Sequence, residues 1–379
     1  MHPYIRYAVG KQANIIALIK DFVQCESPSE SPTDVNRFVD LLAQSVKGIA
    51  VAKTFQSDRF GKHLRLEFKL PGARKEGQIL GVGHSDTVWS TGTIRSMPFR
   101  RRGGRLYGPG VLDMKSGLTF FIYAVRALRA LDVPVHRKVV LLIVSDEEVG
   151  STTSRPITES EAKRSDCVLV LEPGTGLTGK LKTARKGVGN YTVSIEGRAA
   201  HAGVDFGNGA SAILEAARQI EKLAGFTNLG RGTTVNPGVI SGGTRTNVIA
   251  AAARIDVDVR VSRLKDAATL DRRFRSLKPF DKRCRIRVEG GLNRPPMERN
   301  KAIAHLFTKA QRLCAELGLR LEESSTGGGS DGNFTAALGI PTLDGLGGVG
   351  EGAHAINESL LIDCIPERVA ALAALIAGL

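Results

Sequence analysis

The chain has 379 residues, of which 42% are hydrophobic and 24% are charged, and its formal net charge is +15. This length exceeds one ordinary compact core, and a soft prior of about 150 residues per domain predicts two domains. No apolar run is long enough to cross a bilayer, which argues against a membrane protein. Residues 1–20 lack the uninterrupted hydrophobic stretch of a secretory signal, so we expect a cytoplasmic protein. The five scattered cysteines form no Cys-x-x-Cys pair and are predicted to be reduced thiols.

The positive charge makes nucleic-acid binding an alternative, because clustered Lys and Arg provide affinity for phosphates. Most basic residues are instead spread along the chain. The densest group lies in a glycine-containing segment without interleaved aromatic residues and comprises Arg95, Arg100, Arg101, Arg102 and Arg105. We expect a solvated loop there, or a positive field that attracts small anionic substrates, and no nucleic-acid partner.

The first part of the chain alternates predicted helices and strands. Helical periodicity covers residues 15–22 and 35–42, and a longer helix is predicted over 115–131. Strands are predicted at residues 64–68, 78–83, 138–144 and 167–171. The last two are unbroken apolar runs, which are typical of buried parallel strands. This order predicts an α/β domain with a mostly parallel mixed sheet flanked by helices.

The pattern changes near residue 180 to amphipathic strands and longer helices. Strands are predicted at 191–195, 247–261 (a long strand or a strand pair) and 284–288, with a helix over 210–223. The β-α-β-β-α-β order is typical of a ferredoxin-like domain. After Arg294-Pro295-Pro296, the chain again resembles its first part, with a predicted helix over 301–317 and a glycine-rich stretch. We therefore predict one domain over 1–180 and 293–379, interrupted by an inserted domain over 181–292.

Acidic and imidazole side chains follow the predicted strands, where α/β folds place binding sites. His84 and Asp86 come after the 78–83 run. Residues two apart on an extended chain face the same way, so Asp86 could orient His84 as a carboxylate does for a zinc-bound imidazole. Asp113 stands at the start of a predicted helix, where an N-cap is the alternative role.

Three successive acids, Asp146, Glu147 and Glu148, follow the 138–144 strand. The repulsion between these negative charges must be offset, either by solvent around an exposed turn or by bound divalent cations. In the second case one Glu would bind a cation and its neighbour would act as a base. Glu172 follows the next strand, and His354 lies in a glycine-containing loop. Together these positions supply two His, three carboxylates and an unligated Glu, the set that a paired zinc site needs.

These motifs resemble the two-zinc peptidase and deacylase family of glutamate carboxypeptidase, aminoacylase, acetylornithine deacetylase and succinyl-diaminopimelate desuccinylase. Residues 84–88, 108–115 and 147–148 are similar to its three metal motifs. The resemblance implies that Asp113 bridges two zinc ions, that Glu147 is the general base and that Asp86 holds His84. The implied metal ligands are His84, Asp113, Glu148, Glu172 and His354. Leu171-Glu172-Pro173 resembles the glutamate carboxypeptidase and desuccinylase branches most.

The inserted region also carries family motifs. Residues 197–203 are similar to the dimerisation motif, which implies a homodimer whose His201 holds the oxyanion in the partner's active site. The segments around Asn247 and Arg260 resemble those that bind substrate, the Arg through a substrate carboxylate, although both could be exposed sheet residues. The glycine-rich residues 327–333 match the loop beside the metals. The segment after His354 departs from the pattern, since Ala355 and Ser359 stand where relatives often carry a serine and an aromatic residue.

The resemblance implies a zinc exopeptidase-like catalytic domain with an inserted ferredoxin-like dimerisation or lid domain. It implies cleavage of an amide bond next to a glutamate-like, carboxylate-bearing residue, using two Zn²⁺ per subunit, which Co²⁺ or Mn²⁺ could replace. An N-acyl-amino-acid deacylase and an aminopeptidase or dipeptidase are alternatives within the family. A non-enzymatic nucleic-acid or phosphate binder would require a Gly-x-Gly-x-x-Gly or P-loop sequence between a strand and a helix, and Gly81-Val82-Gly83-His84 is not one. A member that binds without cleaving is disfavoured because the base and all ligands are present.

Overall fold

The computed structural model describes residues 1–57, 59–73 and 75–379. Its helices are α1 (Pro3–Gly10), α2 (Gln12–Gln24), α3 (Pro32–Ser45), α4 (Thr93–Ser96), α5 (Ser116–Ala130), α6 (Arg155–Ala162), α7 (Ala212–Ala224), α8 (Leu264–Arg275), α9 (Lys301–Ala315), α10 (Gly332–Ala337) and α11 (Ile365–Gly378). Its strands are β1 (Ala50–Phe55), β2 (His63–Phe68), β3 (Gln78–His84), β4 (Arg100–Arg102), β5 (Arg105–Tyr107), β6 (Lys138–Val144), β7 (Cys167–Val170), β8 (Leu181–Arg185), β9 (Gly187–Glu196), β10 (Thr234–Gly242), β11 (Ala252–Val261), β12 (Arg285–Arg294), β13 (Glu323–Thr326), β14 (Thr342–Leu343), β15 (Gly350–Glu351) and β16 (Ser359–Leu361).

The described residues form two compact units. The first unit comprises Met1–Ala184, Arg299–Ser325 and Ser330–Leu379, and the second comprises Arg185–Glu298 and Thr326–Gly329. The sequence placed the boundaries after residues 180 and 292. The roles predicted for these segments, catalysis and dimerisation, stay predictions.

The first unit is built on a mixed sheet with the strand order β1-β2-β6-β3-β7-β14. Strands β6, β3, β7 and β14 run parallel to one another, whereas β1 and β2 pair antiparallel at one edge. Successive residues face opposite sides: Ile79 and Leu141 pack in one apolar cluster with α5, and Leu80 and Val140 pack in another with Ala162 of α6. Burial on both faces explains the unbroken apolar runs and confirms the predicted α/β sheet flanked by helices.

The second unit contains an antiparallel sheet with the strand order β10-β11-β9-β12. Its elements follow one another as β9-α7-β10-β11-α8-β12, which is the predicted ferredoxin-like arrangement. Side chains alternate along β11, so that Ile255, Val257 and Val259 are buried with residues of α7 and α8. Arg254 and Arg260 lie on the opposite face.

Residues 247–251 were predicted as part of a strand, and this prediction is wrong, because β11 begins only at Ala252. The strand that precedes it in the chain, β10, was not predicted. Pro237 and Gly238 interrupt the alternation in β10, and the pairing register shifts between Pro237 and Val239. Such a proline is compatible with β10 because this strand lies at the edge of the sheet.

The arginine-rich segment was predicted as a solvated loop but forms the antiparallel hairpin of β4 and β5. Residues 100–102 are exposed, whereas Arg105 forms an ion pair with Glu351 at 3.0 Å. Within residues 1–57, 59–73 and 75–379, no helix is both long and apolar enough to cross a membrane. The five cysteines are free thiols, and three of them are buried.

Candidate active site

Three neighbouring parallel strands of the first unit deliver the candidate ligands to one edge of the sheet. His84 is the last residue of β3, Glu147 and Glu148 follow β6, and Glu172 follows β7. Since β6, β3 and β7 are adjacent and parallel, their carboxyl ends meet at the same edge. Asp113 comes from the turn between β5 and α5. The first turn of α5, which follows directly, approaches the residue after β7 closely, because a Cβ atom at Gly117 would come within 2.2 Å of the Leu171 carbonyl oxygen.

A first group of possible ligands surrounds His84, which is buried. Its Nε2 atom lies 3.2 Å from Oδ1 of Asp113 and 3.7 Å from Oε1 of Glu172. Its Nδ1 atom lies 2.9 Å from the backbone oxygen of Asp86. An N–H on Nδ1 satisfies this contact, so in the neutral imidazole the lone pair of Nε2 faces the carboxylates, as metal binding requires.

A second group shares Asp113 with the first. Oδ2 of Asp113 lies 3.4 Å from Nε2 of His354, and Oε1 of Glu148 lies 3.2 Å from the same nitrogen. In each group the ligand atoms lie within 4.8 Å of one another. One carboxylate therefore connects two overlapping sets of three ligands.

His354 reaches this place from the loop of a hairpin. Strands β15 and β16 pair antiparallel, Gly350 with Leu360 and Glu351 with Ser359, and residues 352–358 form the connection. The backbone of His354 has φ 63°, a left-handed conformation that is uncommon for residues other than glycine. Such conformations concentrate at functional sites, where the surrounding structure imposes them.

Asp86 connects the ends of two strands. Its Oδ1 atom accepts the backbone N–H of Glu147 at 3.3 Å, and its Oδ2 atom accepts that of Glu148 at 3.2 Å and the Ser29 hydroxyl at 2.8 Å. The sequence predicted that its carboxylate orients His84. The structure places that carboxylate 3.5 Å from Nδ1, beyond the 2.9 Å of the Asp86 carbonyl. Asp86 thus lies closest to His84 through its backbone carbonyl, whereas its carboxylate, which also raises the pKa of His84, fixes the Glu147–Glu148 turn.

The preceding residues of that turn are held by a buried histidine that the sequence did not suggest. His63 accepts the backbone N–H of Ser145 through Nδ1 at 3.1 Å, and its Nε2 lies 3.2 Å from the Thr153 hydroxyl. That hydroxyl donates to Oδ2 of Asp146 at 2.7 Å. A lone histidine on the edge-side strand β2 gives no sequence signal for this role, because its partner lies 82 positions away.

Carboxylates surround both imidazoles and raise their pKa values. The hydrogen bonds that His354 donates to the carboxylates of Asp113 and Glu148 raise its pKa to about 10. Burial lowers the pKa of His84, but hydrogen bonds to Asp113 and Asp86 outweigh burial and raise it well above its usual value. Burial raises the pKa of Asp113, yet its bonds to the two histidines lower it overall. Positive charge is therefore stabilised at two points, one in each ligand group.

This donor set fits a pair of divalent cations. Imidazole nitrogen and carboxylate oxygen are the ligands preferred by zinc and suit cobalt and manganese as well. Each group offers one imidazole and two carboxylates. Glu147, directly next to Glu148, belongs to neither group, and its role as a base stays a prediction.

Three candidate residues belong to the second unit. His201 is exposed, and its Nδ1 atom accepts the backbone N–H groups of Gly203 and Val204 at 3.1 and 3.2 Å. These bonds put the imidazole proton on Nε2. The Asn247 carbonyl accepts the backbone N–H of Ala202 at 3.0 Å, so His201 and Asn247 lie on neighbouring segments.

Arg260 lies on β11 and is engaged by a carboxylate on its own strand. Its Nε and Nη2 atoms donate to Asp258 at distances between 2.9 and 3.2 Å. Its Nη1 atom donates to the Gly327 carbonyl at 3.4 Å. The forked edge that suits a substrate carboxylate therefore already binds Asp258.

The first unit thus has the architecture expected of a dinuclear metallohydrolase: possible ligands at the strand ends, and one carboxylate common to two groups of possible ligands. Comparisons with known proteins specify this class. The model of peptidase family M20/M25/M40 matches residues 81–378. The chain belongs to this family and is a hydrolase of the metallopeptidase class.

Individual relatives agree with this membership. Carboxypeptidase G2 of Pseudomonas sp. (strain RS-16) is 32% identical over 381 residues, covering 98% of this chain and 91% of that protein. Succinyl-diaminopimelate desuccinylase of Acidovorax ebreus (strain TPSY) is 30% identical, covering 89% of this chain and 92% of that protein. In structure, the chain is similar to the aminopeptidase PepT of Bacillus cereus ATCC 10987, with a TM-score of 0.78, 22% identity and coverage of 97% and 98% of the two chains.

Proposed function

We propose that this protein is a zinc-dependent carboxypeptidase-type amidohydrolase that releases a carboxylate-bearing, glutamate-like residue. The observation that carries the proposal is the position of Asp113, whose two carboxylate oxygens face His84 in one ligand group and His354 in the other. The substrate class is supported by the similarity to carboxypeptidase G2 over nearly the whole chain.

In this proposal His84, Asp113 and Glu172 hold one Zn²⁺, and Asp113, Glu148 and His354 hold the other. When bound, such a pair lowers the pKa of a water molecule and polarises a carbonyl group. Cobalt or manganese would fit the same donors.

Glu147 acts on protons in the proposed reaction. Water adds to the amide carbonyl while the Glu147 carboxylate takes one of its protons, and Glu147 then gives that proton to the leaving nitrogen as the C–N bond breaks. The backbone N–H of Glu147 donates to Asp86, which holds the residue at the end of β6. The products are a carboxylic acid and a free amine.

The second unit supplies substrate contacts in this proposal. The N–H on Nε2 of His201 donates to the developing oxyanion, a contribution that typically lowers the barrier by several kcal/mol. Asn247 donates to the substrate or the oxyanion, and Arg260 binds the substrate carboxylate, either through Nη1 or by replacing Asp258.

We further propose a homodimer formed through the second unit, with His201 acting in the partner's site. The outer side of α7 exposes Ile213 and Leu214, which are 45% and 55% exposed. The edge strand β10 exposes Val239 and Ile240, which are 60% and 52% exposed. An unpaired strand edge beside apolar side chains is the surface that a second copy of the same sheet can cover.

An N-acyl-amino-acid deacylase is the second candidate, favoured by the similarity to the desuccinylase. It uses the same site and differs in the acyl group and the side chain accepted. A panel of substrates separates the two: N-acyl-glutamates, folate, N-acetylornithine, N-succinyl-diaminopimelate and dipeptides, each assayed with Zn²⁺ and with a chelator. Chelator-sensitive release of glutamate supports the carboxypeptidase, and release from N-acetylornithine or the succinyl substrate supports the deacylase.

The control for this panel is Glu147→Gln, which keeps the shape of the base but cannot take a proton. A mixture of Glu147→Gln and His201→Ala chains tests the dimer, because a mixed dimer contains one site with both native residues only if His201 acts in the partner. Restored activity on mixing supports that arrangement. Equal activity of Glu147→Gln and wild type would overturn the proposed role of Glu147.

A further inference from the structure

Glu358 is a fully buried carboxylate in the first unit whose oxygens accept four hydrogen bonds. Oε1 accepts the backbone N–H groups of Leu112 and Asp113 at 2.8 and 3.0 Å. Oε2 accepts the backbone N–H of Gly110 and the indole N–H of Trp89, both at 2.9 Å. All four partners are donors, so the ionised carboxylate, which has acceptors only, matches them.

Strand pairing explains why Glu358 meets the turn that carries Asp113. Strand β16 pairs antiparallel with β5, with Ser359 opposite Tyr107. Glu358 precedes Ser359 and the turn follows Tyr107, so the two segments leave the sheet side by side. Gly110 has φ 72°, and a Cβ atom there would come within 2.8 Å of Thr87. The turn thus exposes its N–H groups to Glu358 in a conformation that favours glycine.

The same segment carries a candidate metal ligand. His354 and Glu358 lie in one connection, which is closed by backbone hydrogen bonds from Ala355 to Gly352 and from Glu358 to Ala355, both 2.8 Å long. Glu358 therefore joins the loop of His354 to the turn of Asp113. Two of the three ligands in the second group depend on this junction.

We propose that Glu358 is a positioning residue that sets the Asp113 carboxylate relative to His354 and thereby the affinity and geometry of the metal pair. The inference rests on the proposed metal-dependent function and goes beyond it, because Glu358 itself touches neither cation nor substrate in this role. Replacing a carboxylate that holds a metal ligand in place typically lowers metal affinity or activity by about 10- to 100-fold.

The decisive variant is Glu358→Gln in the full chain. Glutamine has the same shape, but its NH₂ group faces two N–H donors, so half of the acceptors are lost. Glu215→Gln is the matched control. Glu215 is a buried carboxylate of the second unit that likewise accepts backbone N–H groups, from Phe280 and Asp281, together with the Gln219 amide.

Co²⁺ is the probe, measured by titration calorimetry and by its visible absorption spectrum, alongside thermal unfolding. For Glu358→Gln we expect at least about 10-fold weaker Co²⁺ binding, an altered spectrum and a lower kcat with little change in KM. Glu215→Gln should lower the unfolding temperature and leave the Co²⁺ spectrum unchanged. If Glu358→Gln does not fold, Trp89→Phe removes a single donor and should shift the spectrum in the same direction.

The outcomes separate the two claims. A Glu358→Gln protein with wild-type Co²⁺ affinity, spectrum and kcat would overturn the positioning role while leaving the proposed function intact. An unshifted spectrum for Trp89→Phe would overturn it where Glu358→Gln is unfolded. A wild-type chain that binds no Co²⁺ would overturn the proposed function first, and the positioning role with it.

Discussion

Oδ1 of Asp86 accepts the backbone N–H of Glu147 at 3.3 Å. This bond connects the end of β3 to the end of β6, the two neighbouring parallel strands that supply His84 and the proposed base. Because Asp86 is buried, water is kept away from this hydrogen bond and does not compete for the carboxylate. The position of Glu147 thus depends on a carboxylate that the family resemblance assigned mainly to His84.

We expect Asp86→Asn to reduce both metal affinity and turnover. The amide replaces one acceptor oxygen with an NH₂ group, so the backbone N–H of either Glu147 or Glu148 loses its partner. The expected loss is about 10- to 100-fold, measured as kcat/KM and as Zn²⁺ affinity in a chelator competition. Asp256→Asn, in the second unit and half-exposed, is the control. Wild-type values for Asp86→Asn would contradict the role of this carboxylate.

Metal binding should release protons at pH 8. With no cation bound, hydrogen bonds to Asp113 and Glu148 hold the pKa of His354 at about 10, so this imidazole is charged at pH 8, and hydrogen bonds also raise the pKa of His84 well above its usual value. A metal ligand must be a neutral imidazole, hence affinity rises with pH until the pKa of about 10 is passed. Calorimetry of Zn²⁺ binding in phosphate and in Tris measures the protons released. His354→Asn should release fewer protons. Identical heats in both buffers after dilution correction would contradict the release of protons from these histidines.

Arg260 and Asp258 provide a test of substrate recognition. If Arg260 binds the substrate carboxylate, Arg260→Met should raise KM more than it lowers kcat. Asp258→Asn should lower KM, because the forked donors of Arg260 no longer bind a competing carboxylate. Steady-state kinetics on an N-acyl-glutamate and on its γ-amide analogue measures both effects. Opposite or absent KM shifts for the two variants would remove Arg260 from substrate binding.

The proposed dimer makes a prediction at the edge of the second sheet. Ile240→Lys places a charge on the exposed apolar edge of β10 and should shift the protein from dimer to monomer in sedimentation velocity. Activity should fall as the fraction of dimer falls, since His201 would no longer reach the active site of a partner. Leu264→Lys, also in the second unit and 53% exposed, is the control. A monomeric and active wild-type protein would refute the homodimer.

The sequence predicted the strand-end part of the site well for a physical reason. Buried parallel strands read as unbroken apolar runs, and their carboxyl ends share one edge, so His84, Glu148 and Glu172 could be brought together from pattern alone. The ferredoxin-like order was predictable from amphipathic alternation, although Pro237 and Gly238 concealed β10.

Other features depend on long-range contacts and leave no local signal. Glu358 lies in a polar loop and resembles a solvent-exposed acid until β16 pairs with β5. The partner of His63, Ser145, is likewise far away in the sequence, 82 positions along the chain. The bond between Arg260 and Asp258 was accessible in principle, because residues two apart on a strand share a face. The resemblance directed attention to a substrate instead.

Metal content is the most direct test of the central claim that Asp113 joins two metal positions. The wild-type chain, loaded with Zn²⁺ and freed of excess metal, should contain two Zn²⁺ per chain by plasma mass spectrometry, matching the two ligand groups. Asp113→Ala should lose both, whereas His354→Ala should lose mainly the ion that it shares with Glu148. One ion per wild-type chain, or two ions retained in Asp113→Ala, would contradict the account.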